Sequence, residues 1–444
     1  MEHQNHSLQS ADEEPLLRGA TPPSGSNSSL RDLHLLSTSF LFVFLAYSAT
    51  QNLESSVNAN GNLGSVSLGI LYLSLTLFSV GAPFPVKWLG PKKGILVGLS
   101  GYWIFILANL FPSWYTMIPA SLFLGFTASL LWVAEGTYIT SAAKGHALEK
   151  KVDEESAIGS FNGVFWSYFA GTQVIGNLLS LIILHSEKGA DATSTDSSFT
   201  TWPLLVTFLG CMFAGTSLAC FLRPQKDPLR QAENSAVKFM SSTFGILLDK
   251  KLLLLLPLLV YSGLQQAFIW GDFTENIVTP ALGVSWIGGV MAAYGAADAG
   301  ASLLMGRLSS GLASASNLVF LGGVVQLMIL VWLFLKQSYG SGAGGYLNIF
   351  GQAIMWGLGD ASLNTQISAL LGILFANETE AAFAQWKIWQ SVATSFVFFA
   401  TSSITLSSRI TILFFVLLIS VSTLSILRFL ILCKDVVKCK PVSV

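Results

Sequence analysis

The chain has 444 residues, of which 52% are hydrophobic and 11% charged, and its formal net charge is −1. Soluble domains carry about a quarter charged residues, so lipid must cover much of this surface. A near-neutral balance gives no electrostatic case for a nucleic-acid partner.

The N-terminal tail, residues 1–32, is polar and reads as disordered. It holds no apolar core, so no cleavable signal peptide is expected, and the first span serves as the insertion signal. Within it, Asp12-Glu13-Glu14-Pro15-Leu16-Leu17 matches the acidic dileucine pattern. Such a peptide binds adaptor complexes: Leu16 and Leu17 fill apolar pockets while Asp12 meets a basic patch. This predicts an adaptor partner and routing to a vacuolar or endolysosomal membrane, the plasma membrane being the alternative.

A membrane helix needs roughly twenty apolar residues. That length places spans near 33–53, 62–86, 94–111, 114–140, 158–185 and 201–222. A cytoplasmic linker follows at 223–250, and six more spans fall near 251–271, 285–305, 317–336, 345–374, 380–404 and 408–432. The reading is an all-α membrane protein of about 12 transmembrane helices, with a six-helix half at 33–222, a second at 251–432 and a tail at 433–444. With both termini cytoplasmic, nearly all Lys and Arg fall on the inner side, which fixes the orientation. Only Lys188, Lys336 and Arg409 fall opposite. All three sequons, at Asn5, Asn27 and Asn377, are then cytoplasmic and unused. The linker's later part, Val237 to Leu248, suits a short interfacial helix. Cys211 and Cys220 share one apolar run, while Cys433 and Cys439 lie in the tail, so no disulfide framework is expected.

The halves share faint similarity. Trp132 precedes Glu135 in the fourth span, and Trp356 precedes Asp360 in the tenth. Two like six-span halves resemble the major facilitator superfamily. In that architecture the first, fourth, seventh and tenth spans line a central cavity, so their polar residues become candidates. These are Gln51, Asn52 and Glu54, then Glu135, then Gln265 and Gln266, then Asp360 and Asn364. An ionisable group inside a span costs several kcal/mol, about 3 by insertion scales, and is a functional candidate by default. The competing reading is hydrogen bonding between helices, preferred for Gln173 and Asn177. Asp298 and Arg307 in the eighth span, with Lys92 and Lys93 in the matching first-half loop, are expected to form an intracellular gate latch. That loop lacks the acidic residue of the facilitator signature, which puts proton-coupled gating in doubt. Lys387 is the one internal cation singled out, with no partner assignable. Gly159 and Gly163 form a small-xxx-small pair suited to close helix packing. The sequence holds no nucleotide-binding glycine loop, no metal-ligand spacing and no nucleophile–base pairing. No cofactor and no enzymatic activity are expected.

The run Gln51-Asn52-Leu53-Glu54-Ser55-Ser56-Val57-Asn58 resembles the hallmark of the UNC-93-like family. So do Trp132-Val133-Ala134-Glu135-Gly136-Thr137-Tyr138 and Gly359-Asp360-Ala361-Ser362-Leu363-Asn364-Thr365-Gln366, while Tyr261 to Phe268 looks most like the plant members. Glu135 departs from the neutral Gln expected before Gly136. The resemblance implies the facilitator fold and an accessory role: regulating a potassium channel or transporter and potassium homeostasis. The alternatives are secondary transport of a small polar or ionic solute, and a trafficking chaperone for membrane receptors.

Overall fold

The structure is a computed structural model that describes residues 28–57, 63–190, 202–224, 245–282, 286–335, 343–400 and 404–438. Among the described residues it is helical throughout. The first half comprises α1 (Ser28–Val57), α2 (Leu63–Ser79), α3 (Pro83–Leu89), α4 (Pro91–Ala108), α5 (Trp114–Lys150), α6 (Glu154–Ala190) and α7 (Trp202–Cys220). The second comprises α8 (Lys250–Leu282), α9 (Ile287–Leu308), α10 (Leu312–Leu335), α11 (Ala343–Leu374), α12 (Thr379–Ala400) and α13 (Leu406–Lys438). With α2 and α3 as one bent segment these are twelve crossings. By length and apolarity alone, six described helices qualify as spans, or seven when the bent pair counts as one. Segments such as α11 and α12 carry buried polar side chains that lower their hydropathy.

Local chemistry sets the helix boundaries. Ser113 caps α5 by accepting the Thr116 amide at 3.2 Å, and the Thr116 hydroxyl answers the Ser113 amide at 3.0 Å. Asp249 caps α8 by accepting the Lys251 amide at 2.7 Å. The second span breaks between Ser79 and Pro83 with a 69° bend, because prolines at 83 and 85 suit the start of a new helix and not the interior of an old one. Gly90, at φ 88°, then turns the chain directly into Pro91 at the first position of α4.

The halves meet along two seams. On one, α6 packs against α9, where a methyl group added to Gly163 would lie 2.4 Å from the Gly306 Cα. The Gly159–Gly163 pair therefore serves the close approach expected of it, and its partner is on the other half. On the second seam α2 lies against α12, with the Thr76 and Ser391 hydroxyls 2.8 Å apart. Further bonds between the halves cluster on the side where α1 begins and α13 ends, here called the terminus side. Glu155 accepts the Leu312 amide at 3.2 Å, and the Lys144 ammonium reaches the Ala376 carbonyl at 3.5 Å. There Phe383 of α12 covers Gly136 of α5. The bundle is thus closed on the terminus side.

The seventh span is longer than its apolar window predicts. It does not end at 271 but continues through a π-helical stretch, Phe268–Val278, to Leu282. Asp272, the first residue past the expected end, is buried and paired with Arg409 of α13. Most of the stretch read as an interfacial helix, and the tail carrying Asp12, Leu16 and Leu17, lie outside the described residues.

Candidate functional site

Between the seams lies a cavity whose empty volume, open mouth included, is about 810 Å³. Its wall draws on both halves: Tyr47 and Gln51 from α1, Tyr72 from α2, Trp132 from α5, Trp166 and Gln173 from α6, Gln266 and Trp270 from α8, and Lys387 and Gln390 from α12.

Among the described residues, Lys387 is the charged side chain on that wall. Its ammonium sits 4.2 Å from the Trp132 ring centroid and 4.4 Å from that of Trp386, with Trp166 at 5.9 Å. Cations gain from facing indole rings, more so away from water. The ammonium also donates to Gln390 Oε1 at 2.9 Å, and the Trp386 indole donates to Ser262 Oγ at 3.2 Å. Glu135 lies one turn beyond Trp132 on the same face of α5 and interacts electrostatically with Lys387. Its carboxylate is behind the wall, 1% exposed, and Oε1 has no hydrogen-bond partner among the described residues. A buried charge of either sign needs its opposite, and this pair spans the two halves.

The second-half candidates gather elsewhere. Asp360 accepts the Tyr294 hydroxyl of α9, and it accepts Asn364 Nδ2 at 2.9 Å. Gln265 stands beside Asp360, fully buried, with neither amide atom in a hydrogen bond of standard geometry. Asp298 joins this group from α9, close enough to Asp360 for the two carboxylates to interact, and it accepts the Ser302 hydroxyl at 3.1 Å. The two glutamines at 265 and 266 therefore face different ways: Gln266 lines the cavity, while Gln265 joins the Asp360 cluster.

The proposed latch residues do not come together. Asp298 points inward to the Asp360 cluster, whereas Arg307, nine residues on and half a turn round, is exposed. Lys92 donates to the Cys220 carbonyl at 2.8 Å, and Lys93 is exposed. Gln51 lines the cavity and donates to the Tyr72 hydroxyl at 3.0 Å. The side chains of Asn52 and Glu54 lie outside the described residues. Gln173, assigned by sequence to helix packing, also lines the cavity. Sequence reasoning missed the tryptophan box and the Asp272–Arg409 pair. For the pair a signal existed: Arg409 begins an apolar run, where a cation requires a partner.

The model of the family described as "Ion channel regulatory protein UNC-93" matches residues 55–427. The chain belongs to the UNC-93 family. UNC93-like protein 3 of Arabidopsis thaliana is 46% identical over 391 residues, covering 86% of this chain and 82% of its own. Protein unc-93 homolog A of Homo sapiens is 33% identical, covering 82% and 85%. The "Putative potassium channel regulatory protein unc-93" of Caenorhabditis elegans is 32% identical, covering 88% of this chain and 59% of its own. Among solved structures, the major facilitator superfamily transporter FucP in its outward conformation superposes with a TM-score of 0.66 at 12% identity, covering 90% of this chain and 99% of that one. The proton:xylose symporter XylE gives 0.64 at 12% identity, covering 90% and 94%. These structures establish the major facilitator fold.

Proposed function

We propose that this UNC-93 family membrane protein regulates a potassium channel or transporter and through it cellular potassium balance. Support comes from the worm relative whose name carries that role and which aligns over 88% of this chain. In this reading the seams let the two halves exchange arrangements, and a partner senses the exchange. Both termini lie in the cytoplasm, as the distribution of Lys and Arg favours, and the dileucine tail engages an adaptor complex. Deletion and overexpression should each change potassium currents in the host membrane. Unaltered currents and unaltered cell potassium would exclude the role.

One observation favours a second reading, transport of a small solute: the two-sided cavity built around Lys387. Purified protein in liposomes would then move solute by itself, and Glu135→Gln or Asp360→Asn would reduce that flux. Full flux in both variants would remove these residues from the path.

A further inference from the structure

We propose that the cavity is a binding site for a small organic anion, a carboxylate on a compact apolar body, seated on the Lys387 ammonium. The inference stands apart from the potassium reading, because such a ligand could equally be cargo or the signal that sets the arrangement of the halves.

The argument starts from the charges on the wall. Lys387 lines the cavity while Glu135, its counter-charge, does not. Among the described residues no Asp or Glu lines the cavity, so there an entering ligand meets a cation and no anion. An alkali cation would lie against an ammonium without a carboxylate to offset the repulsion. Hydrogen-bonding capacity points the same way. An ammonium has three donors and no acceptor, and an indole N–H only donates. Lys387 places one donor on Gln390. The indole N–H groups of Trp166 and Trp270, two further wall residues, are buried with no acceptor among the described residues. Against these donors stands the unpartnered Gln173 Oε1. A ligand rich in acceptors would suit the ammonium's remaining donors.

The rest of the wall sets the ligand's body. Phe44, Phe169, Leu71 and Leu75 supply apolar surface, and a ring or branched aliphatic group would bury itself there. Gln51 and Gln266 remain as neutral polar contacts. Glu135 supplies Lys387 with an opposite charge from behind the wall. An arriving carboxylate competes for that same ammonium from the cavity side. The occupant would therefore oppose an electrostatic interaction between α5 and α12, which belong to different halves, and so couple binding to the arrangement of the bundle.

The test uses purified full-length protein in nanodiscs and three probes of one shape: cyclohexanecarboxylate, cyclohexanecarboxamide and cyclohexylammonium. Binding is read by tryptophan fluorescence, since Trp132, Trp166 and Trp270 line the cavity, and by the shift in unfolding temperature. The carboxylate should bind saturably, at least tenfold more tightly than the amide or the ammonium. Lys387→Arg should keep that preference. Glu135→Gln, which removes the competing carboxylate, should tighten binding several-fold. The charge-neutral double variant Lys387→Met with Glu135→Gln should lose at least tenfold. Equal binding of the amide, preference for the ammonium, no saturable response to the carboxylate, or undiminished binding in the double variant would each overturn the proposal. The three probes on wild-type protein decide the sign of the ligand charge even where a variant fails to fold.

Discussion

Replacing Gly163 with alanine probes how the terminus side stays shut. The added methyl carbon would lie 2.4 Å from the Gly306 Cα and 2.7 Å from the Ser302 carbonyl oxygen. Both obstacles are backbone, so no rotamer change can relieve them. The helices α6 and α9 would have to part by roughly 1 Å to restore ordinary contact, and overpacking of this kind costs about 1–3 kcal/mol. If that cost falls only on the closed arrangement, the equilibrium moves toward an open terminus side by about 5- to 150-fold. Spin labels at Leu148→Cys and Asn377→Cys, in a chain cleared of its native cysteines, report the separation of the α5–α6 and α11–α12 turns. Gly163→Ala should enrich the longer distances. Gly210→Ala is the control, since a methyl there meets nothing within 4 Å. Identical distance distributions in wild type and Gly163→Ala would refute the claim that this seam holds the closure.

Three other outcomes follow from the structure. Arg409→Leu should cost about 3–5 kcal/mol by stranding the buried Asp272 carboxylate, whereas the double variant with Asp272→Leu should recover most of it; detergent-induced unfolding in mixed micelles measures both. Tagged protein carrying Leu16→Ala and Leu17→Ala should leave the wild-type compartment, and an unchanged distribution would dismiss the dileucine reading. Asn377 should carry no glycan, because its turn belongs to the cytoplasmic side of the proposed orientation; a glycosidase-sensitive mass shift there would invert that orientation.

The order of the spans was legible in the sequence because the Pro, Gly and charged residues that separate them are local features, although apolar length alone qualifies only six or seven of the described helices. The exceptions are places where distant residues intervene. The seventh span read as ending near 271, just before Asp272, since no local feature announces that Arg409, on the last helix, pairs with that aspartate. The bend at Pro83 did have a local signal, the prolines at 83 and 85, which the apolar length of 62–86 alone overlooks. At the site, sequence singled out Glu135, Asp360, Gln51 and Lys387 as costly inside lipid. It could not sort them. Periodicity shows which face of a helix a residue shares, but not which neighbour packs on that face. Thus Asp298, assigned to a latch with Arg307, instead faces Asp360. Lys387 met Trp132 and Trp166 only through the packing of α12 on α5 and α6, whereas Trp386 is its neighbour in sequence.

The most direct measurement is whole-cell potassium conductance in host cells lacking the protein, before and after restoring the wild-type chain. A regulator of a potassium channel or transporter predicts a conductance that changes on restoration, while purified protein alone in liposomes carries no potassium. Indistinguishable conductances in the two cell lines would contradict the account.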